Sequence, residues 1–179
     1  MSLQQFTDLH IDVDDNSMVT MDEPHSRVHR GDYSTVSNYN SSIGNNAVFT
    51  TLFIVGTHDL HLTLETQSIG SFKIEIVESP TVTVNGSALT ISNLNRRSTY
   101  NTDTTVFNTP TFTVGAVVKT KNIVAGTTGA TRVSTMSTTR QGVEHILKAG
   151  LKYVIRLTNL SGASQEMAID TEFYEEITA

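Results

Sequence analysis

Two segments near the middle of this chain alternate apolar and polar side chains with a period of two. In His58-Asp59-Leu60-His61-Leu62-Thr63-Leu64 the three leucines share one face. In Phe72-Lys73-Ile74-Glu75-Ile76-Val77-Glu78, Phe72, Ile74 and Ile76 share a face while Lys73 and Glu75 take the other. Side chains in a strand point alternately to opposite sides, whereas a helix repeats every 3.6 residues. The pattern therefore predicts strands with one face on a core and one in water. Ala47 to Val55, Thr81 to Val84, Ala88 to Ile91, Thr104 to Phe107, Thr111 to Val118, Val143 to Leu147, Leu151 to Leu157 and Met167 to Tyr174 read as further strands. Turn residues separate them, with Asn85-Gly86 predicting a hairpin. Strands about every ten residues, joined by Gly, Asn and Pro turns, predict an all-β fold: an antiparallel β-sandwich, jelly-roll-like, with an N-terminal arm.

Composition agrees. The 179 residues suit one domain, or one domain with an arm. They include 28 Thr, a strand former, and 17 Ser, a turn former. There is no Cys, which excludes a disulfide framework, a thiolate zinc site and a cysteine nucleophile. The net charge of -6 argues against nonspecific binding of nucleic acid. No run of eighteen apolar residues occurs, so no transmembrane helix is expected. Met1 to Gln5 lacks the basic and apolar regions of a secretory signal, so none is expected. The composition reads as a soluble β protein, not an enzyme.

The acidic stretch 1–23 forms the predicted arm, with Leu3, Phe6 and Leu9 spaced for one short helix or for lying on a partner. Residues 24–179 form the predicted sandwich. Within it, 37–46 reads as a loop by composition, and 119–142, rich in Gly, Thr and Ser, reads as a long loop or projecting hairpin.

Several motifs carry chemistry on paper. Asp12, Asp14, Asn16, Thr20 and Glu23 have the ligand spacing of a calcium loop, with Val19 at the apolar position. Ser17 stands where the sharp turn wants Gly, and Pro24 follows where an exiting helix should begin, so a solvated acidic arm is the preferred reading. His25 and His29 would share one face of a helix, as a metal needs. The surrounding Arg27, Val28 and Gly31 do not read as helix, and in a strand the pair would stand about 13 Å apart. The histidines are therefore expected to be structural, with no metal and no cofactor. Arg30-Gly31-Asp32 reads as a turn, and Arg96-Arg97 as exposed turn residues. No Gly-x-Ser-x-Gly elbow and no Gly-rich phosphate loop is present. Glu172-Phe173-Tyr174-Glu175-Glu176 reads as a final strand whose aromatics pack at an edge or subunit contact. Leu3, Phe6, Leu9, Ile11, Phe173 and Tyr174 are the expected interface residues.

Taken in order, several segments resemble a family of tailed-bacteriophage virion structural proteins encoded near head genes. They are Val19 to Gly31 with its two histidines four apart, His58 to Leu62, Val77 to Thr81 with Asn85-Gly86 and Asn93 to Ser98, Thr105 to Phe107 with Thr109-Pro110-Thr111, and Glu144 to Asn159 with Glu172 to Glu175. The matches span residues 19 to 176, and their shared order carries the resemblance. Ser79-Pro80 departs from it, since the family more often has Gly after the glutamate. The resemblance implies a capsid decoration or cement protein, a homotrimer on the virion surface, bound to the major capsid protein and made in the bacterial cytoplasm. It transfers no catalytic residue, and no nucleic acid or membrane is expected as a partner.

Such a protein works by bridging subunits, so it needs a rigid body and several linked contacts. The arm is the expected contact with the shell, because an extended peptide can add a strand to an exposed sheet edge. A tail- or neck-associated receptor- or carbohydrate-binding module is the alternative, with Tyr33, Tyr39 and Tyr100 as its loop aromatics. A glycan hydrolase would need paired carboxylates, for which Glu75 with Glu78, or Asp170 with Glu172, are the candidates.

Overall fold

A computed structural model describes residues 9–11, 18–20, 23–123 and 144–176. Two short strands, β1 (Leu9–Ile11) and β2 (Met18–Thr20), pair antiparallel. Helix α1 (Glu23–Arg30) follows. The remaining strands are β3 (Tyr33–Ile43), β4 (Val48–Ile54), β5 (Leu60–Ser68), β6 (Phe72–Glu78), β7 (Thr81–Val84), β8 (Ser87–Ala88), β9 (Ser92–Asn93), β10 (Thr105–Asn108), β11 (Thr111–Thr113), β12 (Ala116–Ile123), β13 (Glu144–Leu147), β14 (Lys152–Asn159) and β15 (Gln165–Glu175).

These strands build two antiparallel sheets packed as a sandwich. One runs β13-β5-β15-β3-β9 and the other β12-β6-β14-β4-β10-β8. Set aside the insertion β7 to β11, and number the other eight strands from β3 onward. The sheets then read 6-3-8-1 and 5-4-7-2. That order is the eight-stranded jelly roll, in which the chain crosses between layers at nearly every connection. The one same-layer step, β6 to β12, is where the insertion sits.

The alternation seen in the sequence is the burial pattern. Leu60, Leu62 and Leu64 of β5 face inward with Phe72, Ile74 and Ile76 of β6. Phe53, Tyr153, Ile155, Leu157, Met167, Ile169 and Phe173 complete the main core. Phe53 meets Phe173 edge to face across the two layers, with ring centres 6.2 Å apart, the arrangement aromatic pairs prefer. The six-stranded sheet also buries its outer face: Leu52, Val77 and Val154 lie under Val82 and Phe112, from the β7–β11 pair. This second cover explains why β4 is buried without alternation from Phe49 to Phe53, Thr50 and Thr51 included.

Four expectations from the sequence are corrected. Residues 37–43 belong to strand β3, not to a loop; Asn38 is buried and donates to the Thr50 carbonyl at 3.0 Å and to Thr51 Oγ1 at 2.9 Å, so its polarity is spent inside the sandwich. Asn85-Gly86 makes no hairpin, because β7 pairs with β11 and β8 with β10. Gly86 (φ 92°) passes so close to the Asn108 carbonyl that a Cβ would lie 1.9 Å from its oxygen. Lys119 to Ile123 continue β12 rather than opening a loop; 124–143 lie outside the described residues. Finally, 23–30 is helical. Pro24 sits in the first turn, where its missing N–H costs nothing, and Gly31 (φ 79°) caps the other end, its N–H donating to Arg27 O at 3.0 Å.

Candidate functional site

Strand parity places a carboxylate where the sandwich ends. Met167, Ile169, Thr171 and Phe173 of β15 face the core, so Glu175, two residues on, points the same way and is 2% exposed. The segment 100–104 wraps around it. Its Oε1 accepts from Thr102 Oγ1, from Thr104 N–H at 3.0 Å and from Thr104 Oγ1 at 2.7 Å. Its Oε2 accepts from the Tyr100 hydroxyl at 2.5 Å and from Asp103 N–H at 3.4 Å. Five donors answer one buried ion, which is what keeps a buried carboxylate tolerable. Burial, followed by the neighbouring carboxylate, pushes the Tyr100 phenol well above its usual range.

Asp103 stands beside this group. Its Oδ2 accepts from Thr57 Oγ1 at 2.6 Å and from Thr57 N–H at 2.8 Å. The Thr57 hydroxyl does most to hold the Asp103 carboxyl down, at about 2, against the opposing effect of burial. His58 Nδ1 lies 3.1 Å from the same hydroxyl. One potential ligand atom each from His58, Asp103 and Glu175 falls within a 4.8 Å group. Glu175 is engaged by five donors, and Asp103 Oδ2 by the Thr57 hydroxyl and N–H. An aspartate ionised down to about pH 2 has no proton to give near neutrality. The arrangement is a brace that ties the end of β15 to the β4–β5 turn and the 100–104 segment.

Tyr100 also lines a polar cleft of about 340 Å³ with Ser34, Asn93, Asn95, Arg96 and Ser98. Several of these side chains are committed to the backbone. Asn93 Nδ2 donates to Gly31 O at 2.6 Å, Ser98 Oγ to the same oxygen at 2.6 Å, and Asn95 Nδ2 to His29 O at 3.2 Å. Arg96 and Arg97 are exposed, as a turn assignment expects.

Among the described residues, β12 pairs only with β6 and β13 only with β5, each at the far side of its sheet. Val117, Val118 and Ile146 on these strands are 44%, 55% and 58% exposed. Lys119 Nζ bridges the two edges, 2.7 Å from His145 Nε2. Burial, and then Lys119, press the His145 imidazole down from its usual range.

The residues singled out from sequence are scattered. Thr20 closes β2 and Glu23 opens α1; Asp12, Asp14 and Asn16 lie outside the described residues, as do Leu3 and Phe6. Leu9 and Ile11 sit in β1. Phe173 and Tyr174 are corrected: β15 is a central strand, Phe173 is core, and Tyr174 is covered by its own chain. The His61 ring stacks on Tyr174 at 4.6 Å, and the Arg27 guanidinium lies 4.1 Å from its ring centre. Glu75 is held by Arg156 at 2.7 Å and Lys73 at 3.1 Å. Burial pushes its carboxyl up, but these two cations outweigh it and leave it lowered. Glu78 accepts from the Tyr153 hydroxyl at 3.0 Å. Neither is poised as a paired catalytic acid. The Glu175 brace had a signal in the sequence, the parity of β15; the parts brought by Thr57, His58 and 100–104 had none, since they depend on how a loop closes. No protein-family model matches this sequence, and no curated protein matches it either.

Proposed function

We propose that this chain is a phage virion structural protein that decorates or cements the capsid by binding across its subunits as a homotrimer, without catalysing a reaction. The observation that carries the reading is the β12 edge of a stiff jelly roll, which no described residue pairs on its outer side. Alternate residues of this strand turn their backbone groups away from β6, with Val117 and Val118 exposed beside them. Such an edge is a template for strand addition by another chain. Lys119 and Lys121 sit on the same strand. Edge lysines discourage indiscriminate pairing, so they favour a partner segment bearing carboxylates. The filled interior supports a scaffold role, and so does a brace whose two carboxylates are hydrogen-bonded within the fold. The major capsid protein is the partner on this reading, and residues 1–23 add a second contact to the same shell.

A receptor- or carbohydrate-binding module on tail or neck is the second reading, favoured by the polar cleft with Tyr100 and Arg96 on its wall. Cryo-electron microscopy of the virion separates the two. Density for this jelly roll on the head lattice, at three-fold or quasi-three-fold positions, is the expected result. Its presence on tail or neck, or its absence from the particle, overturns the decoration reading.

A further inference from the structure

Helix α1 does what a strand there would not: it sets His25 and His29 one turn apart on the same face. Both rings are exposed. They lie nearly parallel, 12° between planes and 4.8 Å between centres, with their Nε2 atoms 2.9 Å apart. We propose that His25 and His29 form a two-nitrogen site for a first-row divalent transition metal of the imidazole-preferring kind, Cu(II) above Ni(II) and Zn(II).

The distance is the main support. Two nitrogens each about 2.0–2.1 Å from one ion stand about 2.9 Å apart at a right angle, and about 3.3–3.4 Å apart at a tetrahedral angle. The observed 2.9 Å matches the nitrogen spacing at adjacent positions of a tetragonal Cu(II) or Ni(II) ion, and rotation of the exposed, stacked rings turns both lone pairs onto it. Zinc needs a small opening, which exposed side chains allow. Between two neutral imidazoles at this distance, one N–H must donate to the other ring's lone pair. A metal takes both lone pairs instead, with each ring carrying its proton on Nδ1.

The surroundings permit a cation. His29 lies in the last helical turn, where unpaired carbonyls give the helix end a partial negative charge. Arg27 is turned away from the pair, its guanidinium held by Asp32 at 3.0 Å and over the Tyr174 ring. The segment is anchored: Asn95 donates to the His29 carbonyl, and Gly31 N–H closes the helix on Arg27. The remaining coordination positions face solvent and take water.

The test uses the untagged full chain. Titration calorimetry with Cu(II), Ni(II) and Zn(II) is expected to show one equivalent bound, in the affinity order Cu > Ni, Zn. Removing an outer partner of a metal site already costs about 10–100-fold in affinity, so His25→Ala or His29→Ala should each cost roughly tenfold or more. His58→Ala and His145→Ala should leave binding unchanged. The Cu(II) complex should show coupling to two imidazole nitrogens by electron paramagnetic resonance, reduced to one in either single variant. Because both rings are exposed, circular dichroism is expected to be unaltered in the variants. No binding, binding indifferent to both substitutions, or a spectrum without two nitrogens overturns the site.

Discussion

The Tyr100 hydroxyl donates to Glu175 Oε2 at 2.5 Å across 75 positions of sequence. It joins a loop that has no regular structure of its own to the last strand of the jelly roll. A charge-assisted bond of this kind contributes about 1.5–3 kcal/mol, and a buried ion left without donors costs more. Tyr100→Phe should therefore destabilise the fold by about 1.5–3 kcal/mol in urea denaturation. Glu175→Gln should cost at least as much, because an amide turns a donor toward donors. Equal stability of the parent and both variants would show that the brace contributes nothing.

Gly56 occupies the turn that Asp103 covers. A Cβ at this position would lie 1.9 Å from Asp103 Oδ1 and 2.1 Å from its Cγ. Gly56→Ala must displace the carboxylate and break its bonds to Thr57. Neighbours that share a contact couple by about 0.5–3 kcal/mol in a double-mutant cycle. The expected result is that Gly56→Ala is costly alone and much milder in an Asp103→Ala background, measured by thermal or urea unfolding. Simple additivity would remove the proposed contact.

What the sequence revealed depended on how local the signal was. The period of two in β5 and β6 sets their burial directly, because nothing but the pleat decides which way Leu62 or Ile74 points. β3 was hidden because Ser37, Asn38, Asn40, Ser41 and Ser42 look like loop residues. The strand is fixed by its pairing with β15, a partner more than a hundred residues away. α1 was hidden by its poor helix formers, although Pro24 near one end and Gly31 just past the other marked its limits. Asn85-Gly86 links β7 to β8, yet the two strands find different partners, which a local rule does not foresee. Glu175 was legible by counting in twos from Phe173. Asp103 and His58 were not, since two loops had to meet before they became neighbours.

Acid should unravel the structure in two steps of different origin. His145 is pressed below its usual range by burial and then by Lys119. The unfolded chain takes up a proton near pH 6.5 before the folded one does, so this contribution is intact above that pH and falls as the pH drops below it. Asp103, held at about 2, works lower: its contribution is present above the ordinary aspartate value near 3.9 and is lost as the pH falls toward 2. Stability curves measured from pH 8 to 2 should flatten in the upper window for His145→Gln, and in the lower one for Asp103→Asn. A parent curve level between pH 7 and 5 would contradict the first assignment.

Phe173 distinguishes a core role from an interface role. It is 1% exposed and packs edge to face on Phe53. Phe173→Ala should cost about 3–5 kcal/mol of folding stability, the usual cost of emptying a buried aromatic site. Sedimentation of the fraction that remains folded should show the oligomeric state of the parent. A stable variant with altered assembly would return Phe173 to the interface.

The two contacts proposed for the capsid, the β12 edge and residues 1–23, are separable by variants that leave the jelly roll intact. Val118 is more than half exposed on the edge strand. A surface substitution there should change stability by no more than about 0.5 kcal/mol. Val118→Glu places a negative charge beside the very groups a partner strand must approach, and should repel the carboxylate-bearing segment inferred above. Deleting residues 2–18 removes most of the arm. If both elements hold the same shell, each change alone should weaken co-sedimentation with heads by roughly tenfold or more, and the two together should abolish it, as linked contacts require. Loss with the deletion alone would assign binding to the arm and leave β12 for another neighbour, whereas full occupancy in the double variant would exclude both elements as the route to the shell.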